Sequence, residues 1–129
     1  MRILKAVVLA VLSFPLLLFA ADQPTRLTAR DGGTSVALKV GDRFEVALPG
    51  NPTTGFTWEI AQGAGRVVKQ DGAPEFHPDR SLVGSGGTVT FHLVAAVKGT
   101  TVLRLVYHRK WEKDVPPAKT FEVTVTVTK

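Results

Sequence analysis

Three histidines, two adjacent threonines and one tryptophan set among charged residues are the side chains of this chain with chemistry to offer. His77 falls in a long irregular stretch, His92 on the outward phase of a strand, and His108 at the start of a late loop. They have no metal-ligand spacing, and solvated surface histidines are the better reading. Thr53 and Thr54 carry hydroxyls but have no base near them in sequence, and a nucleophile needs an oriented base. Glu75 and Asp79 can pair in space, as almost any two surface carboxylates can. The chain has no cysteine, which excludes thiol catalysis and thiolate metal sites. Nothing argues for an enzyme, and no cofactor or metal is called for. Binding is better supported. Trp111 lies in Arg109-Lys110-Trp111-Glu112, with polar neighbours on both sides and Pro116-Pro117 beyond. Tryptophan is enriched among binding hot spots. Such a ring either anchors an interface or folds back over apolar surface, and position alone leaves both open.

The threonines belong to Asn51-Pro52-Thr53-Thr54-Gly55-Phe56, a segment dense in turn devices. Gly50 and Gly55 permit positive φ, Asn51 can bond its own backbone two residues on, and Pro52 drives Asn51 out of the α region. The expectation is a stiff loop with Thr53 and Thr54 at its tip. The ordinary role of such a segment is a turn between two strands.

What positions these residues is a series of period-two runs, the mark of half-buried strands. Thr25 to Arg30 is a candidate edge strand. Val36, Leu38 and Val40 alternate with polar or small residues, then Phe44, Val46 and Leu48 lead into the loop, and Trp58 and Ile60 follow it. Arg66 to Gln70 is another short candidate. Val89, Phe91 and Leu93 share one phase, as do Leu103, Leu105 and Tyr107, and then Phe121, Val123 and Val125. These seventeen apolar residues are the expected core. Asp71 to Gly87 looks irregular, with Phe76 and Leu82 expected to tack it to the body, and long irregular stretches in compact domains are often functional. The pattern predicts an all-β protein, an immunoglobulin-like β-sandwich of seven or eight antiparallel strands. In such a sandwich alternate loops gather at one end. The loops after Leu48, after Lys69 and after Tyr107 can then share one edge.

The first twenty residues read differently. Arg2 and Lys5 precede an uncharged apolar stretch from Ala6 to Phe19, which ends in Ala20-Ala21 before Asp22. That pattern is a secretory signal peptide over 1–20, cut after Ala20, leaving a single domain over 21–129. The expected product is exported, periplasmic or secreted, free of the membrane after cleavage, and monomeric. The formal charge of +5 falls to +3 once Arg2 and Lys5 are removed. The remaining charges are mixed, with no basic run carrying interleaved aromatics, so nucleic-acid binding has little support.

Taken together, the three loops resemble the chagasin family of cysteine-protease inhibitors, the I42 inhibitor family. Its Asn-Pro-Thr-Thr-Gly-aromatic motif is complete at Asn51 to Phe56, with Trp58 two residues on. Its Gly-x-Gly-Gly element at the start of a strand is matched by Gly84, Ser85, Gly86 and Gly87, with Phe91 following. Its Arg-Pro-Trp loop reads Arg109-Lys110-Trp111, with Lys110 in place of the proline. The resemblance implies a reversible, non-covalent inhibitor of papain-like cysteine proteases. It implies that Asn51 to Phe56 enters the catalytic centre while 84–87 and 109–112 grip the cleft walls. The rival reading is an exported carbohydrate- or ligand-binding sandwich with Trp111 stacked on a sugar. That reading predicts further exposed aromatics beside Trp111, and the other aromatics here lie at core-phase positions.

Overall fold

The computed structural model describes residues 23–129, and the expected signal peptide over 1–20 lies outside them. Nine strands form two sheets: β1 (Thr25–Thr28), β2 (Ser35–Lys39), β3 (Arg43–Gly50), β4 (Thr57–Gln62), β5 (Val68–Gln70), β6 (Glu75–Pro78), β7 (Gly87–Ala95), β8 (Gly99–His108) and β9 (Lys119–Thr128). One sheet runs β1-β3-β7, and β5 and β6 both pair with the far side of β7. β6 takes the Gly87–Thr90 end and β5 the Leu93–Ala95 end. The other sheet runs β2-β9-β8-β4. Among the described residues no helix exceeds a three-residue 3-10 turn, at Ala29–Asp31 and at Pro52–Thr54.

The sandwich is as expected, but two details differ. There are nine strands in place of seven or eight, and two pairings are parallel: β1 with β3, and β2 with β9. The first two strands belong to different sheets, and the Ala29–Asp31 turn carries the chain from one to the other. Neither is joined to its partner by a hairpin, so nothing forces an antiparallel pairing. Alternation carries no strand direction. The ninth strand is β6, inside the stretch expected to be irregular. All four of its residues are exposed, so it shows no apolar alternation.

The two inner faces make one core, centred on Phe44, Val46, Leu48, Phe91, Leu93, Leu103, Leu105, Phe121, Val123 and Val125. Burying each of these side chains is worth roughly 1.5–3 kcal/mol. That is the main source of stability in a chain without disulfides. Val36, Ile60 and Val89 are only half-buried at its rim. Val40 is 45% exposed, because it lies past the end of β2 in the turn closed by Asp42 N–H to Lys39 O. Leu27, Val68, Ala95 and Val127 join the core, and Ala47 and Val106 are also buried. Phe76 and Leu82 do not tack the long stretch down. Phe76 borders a hollow of about 200 Å³ between β6 and the strand ends, and Leu82 points into solvent from a loop tip.

Candidate functional site

The strand register brings three loops to one end. Gly50, the last residue of β3, pairs with Gly87, so the loop that follows β3 starts beside the 79–86 loop. Thr57, the first residue of β4, pairs with His108, so the same loop ends beside the segment that follows β8. Residues 51–56 thus cross from one sheet to the other, with a second loop at each foot.

Asn51 organises the crossing. Its side-chain oxygen accepts from Thr53 N–H at 3.1 Å and from the Thr53 hydroxyl at 2.6 Å. Its amide nitrogen donates to Gly84 O at 3.0 Å, which ties the first loop to the second. Its backbone N–H donates to the Tyr107 hydroxyl at 3.0 Å. Pro52 opens the 3-10 turn, a position that suits a residue without an N–H. Thr54 donates its hydroxyl to Asn51 O at 2.7 Å, and Gly55 N–H closes the turn on Pro52 O. Gly55 has φ 87°, in the left-handed region. Pro52, Thr53 and Thr54 are exposed at the tip.

The third loop leans on the first. Arg109 Nε donates to Thr54 O at 3.2 Å, and its guanidinium lies 4.4 Å from the centre of the Phe56 ring. Phe56 stacks on Tyr107 at 5.2 Å, and Tyr107 in turn packs against Trp58. The Trp111 indole lies across Gly55, where any Cβ would overlap its Cη2 atom. Gly55 is therefore required twice, by its φ and by this approach. Trp111 remains 66% exposed, so the ring both rests on the tip loop and faces outward. The ring covers part of the tip loop and leaves most of its surface free. Lys110 and Trp111 are the central residues of a turn closed by Glu112 N–H to Arg109 O. Neither has positive φ, which makes the turn type I.

In the second loop only part of the expected set is on display. Gly87 is buried because β6 passes directly over it. A Cβ there would overlap His77 O. Ser85 turns its hydroxyl inward, onto Arg80 O and Leu82 O. Gly84 is exposed, and beside it stand two exposed apolar side chains, Leu82, 65% accessible, and Val83, fully accessible. Their signal was two adjacent apolar residues in a polar, glycine-rich stretch. At the end of β6 away from that loop, His92 bonds Glu75 at 3.1 Å. That hydrogen bond, with the charge of His92 and then of His77, holds the Glu75 carboxyl below its ordinary value. The described residues offer no group of ligands for a metal ion.

The model for chagasin family peptidase inhibitor I42 matches residues 37–125 of this chain, which include all three loops. The chain belongs to the chagasin family. Chagasin of Trypanosoma cruzi is 32% identical over 102 residues, spanning 76% of this chain and 93% of chagasin. Amoebiasin-1 of Entamoeba histolytica is 28% identical over 101 residues, spanning 78% of this chain and 97% of its own. The crystal structure of the cysteine protease inhibitor EhICP2, from Entamoeba histolytica, superposes with a TM-score of 0.71 at 25% identity. The superposition covers 80% of this chain and 94% of that one. As a chagasin-family peptidase inhibitor, the chain is a binding protein and not an enzyme.

Proposed function

We propose that this chain is a reversible, non-covalent inhibitor of papain-like cysteine proteases. In this reading Thr53 and Thr54 enter the catalytic centre. Gly84 and Gly86, with Leu82 and Val83, and Arg109 to Trp111 hold the two walls of the cleft. The observation that carries it is the closed turn at residues 51–55. A protease cuts a segment that lies extended in its cleft. Here Asn51 holds Thr53 by two hydrogen bonds, and Gly55 closes back on Pro52, so the tip stays bent. A loop already ordered before binding also has less conformational entropy to lose. Family membership and the likeness to EhICP2, a cysteine protease inhibitor, support the target class. The basic n-region and apolar stretch of residues 1–20 support export to the periplasm or beyond.

Titrating residues 21–129 against papain with a fluorogenic peptide tests the proposal. The expected result is reversible, stoichiometric loss of activity, with the inhibitor recovered uncut. Full protease activity at micromolar inhibitor, or cleavage between Asn51 and Phe56, overturns it.

A further inference from the structure

The third loop's root carries a contact that the three motifs do not contain. Glu59, on β4, faces it from the neighbouring strand. One carboxylate oxygen lies 2.8 Å from His108 Nε2, and the other lies 3.9 Å from Lys110 Nζ. His108 is the residue that ends β8, and Lys110 is the second residue of the turn that presents Trp111. Glu59 thus spans the point at which the chain leaves the sheet. The inner side of the same turn is held by Arg109, on Thr54 O and Glu112. Glu59 holds the outer side. Without that contact Lys110 has no other partner among the hydrogen bonds and ion pairs of the described residues.

We infer that Glu59 is a positioning residue for Trp111: it fixes the loop through His108 and Lys110. For its consequence in binding, this inference rests on the inhibitor reading above. A hydrogen bond to a carboxylate is roughly twice as strong as one between neutral groups. The charged groups around His108 are Glu59 from β4 and its own segment's Arg109 and Lys110, with Glu112 opposite Arg109. Among the hydrogen bonds and ion pairs of the described residues, only Glu59 reaches the imidazole.

The turn geometry supplies a second, independent handle. Proline suits the second position of a type I turn, and no hydrogen bond uses the Lys110 N–H. Lys110→Pro should fix the turn from within and make Glu59 largely dispensable.

The experiment compares Glu59→Gln with the unaltered protein, each with Lys110 and with Lys110→Pro. Dissociation from papain is followed for all four proteins. Glu59 is 45% exposed on its side chain, so the expected loss is modest: dissociation about two- to fivefold faster for Glu59→Gln. In the Lys110→Pro background the ratio of the two rates should approach one, with unfolding midpoints unchanged. A ratio of one with Lys110 overturns the inference. Nitrogen-15 relaxation of the Trp111 indole in the free protein gives a readout without any protease. Glu59→Gln should make that indole more mobile. Unaltered mobility overturns the inference whether or not papain is inhibited, so its failure is separate from that of the inhibitor reading.

Discussion

Replacing Gly55 by alanine tests how the first and third loops depend on each other. Gly55 has φ 87°, which costs a residue with a Cβ roughly 1–2 kcal/mol. The new methyl would also overlap the Trp111 indole and displace it. With Trp111 66% exposed, about a third of the ring is covered. A buried tryptophan contributes 150–250 Å², so the covered third is roughly 70 Å², worth up to about 2 kcal/mol. Gly55→Ala should then destabilise the domain by roughly 2–4 kcal/mol. In a protein that already carries Trp111→Ala, the same change should cost only the backbone part, about 1–2 kcal/mol. The assay is a double-mutant cycle on urea unfolding. In the same proteins the outward two thirds of the indole is what a protease can bury. That is on the order of 130 Å² and about 3 kcal/mol. Trp111→Ala should accordingly speed dissociation from papain about thirtyfold or more. Equal costs of Gly55→Ala in both backgrounds would refute the contact. A Trp111→Ala protein that is destabilised yet inhibits normally would take this loop off the binding edge.

Thr53→Arg, at the exposed tip, should weaken papain inhibition at least tenfold while leaving the unfolding midpoint unchanged; unaltered inhibition by the folded variant would remove Thr53 from the catalytic centre. Thr57 Oγ1 is buried without a hydrogen-bond partner, so Thr57→Val should stabilise the domain by about 1 kcal/mol, read as a thermal midpoint several degrees higher. Because the Glu75 carboxyl is held below its ordinary value of 4.5, chiefly by His92, it stabilises the fold above that pH and the effect fades as pH falls through the lowered value. Unfolding midpoints between pH 6 and 3 should therefore fall less in His92→Gln than in the unaltered protein, and identical slopes would dismiss the pair.

The sandwich was legible because β3, β7, β8 and β9 each turn one face of large apolar side chains to the core, which writes period two into the residues. The tip loop was legible because Asn51, Pro52 and Gly55 each have a narrow conformational preference. β6 was not, because a short edge strand with four exposed residues buries nothing that would enforce alternation. The parallel pairings of β1 and β2 were not, because alternation specifies a face and not a direction. Leu82 was misplaced for a related reason: apolar character suggests burial, and only the loop's path sends it outward beside Val83. The meeting of Trp111 with Gly55 depends on two turns approaching across the sheet edge, and no local pattern records such a distance.

The pairing of β2 with β9 has a consequence for how the protein comes into being. Val36 is aligned with Val125, and the Thr128 hydroxyl donates to Leu38 O across 90 positions. β9 sits between β2 and β8, so β2 has no partner, and β8 has only β4, until β9 has been made. Synthesis proceeds at roughly 5–20 residues per second, which leaves β2 waiting several seconds for its partner. Non-local pairing of this kind is also slow to form once the partner is present. The second sheet thus cannot close until β9 has emerged. Through that interval the apolar faces of β2 and β8 depend on whatever holds unfolded chains apart. A ribosome stalled before β9 would release two unpaired strand edges, a template for aggregation.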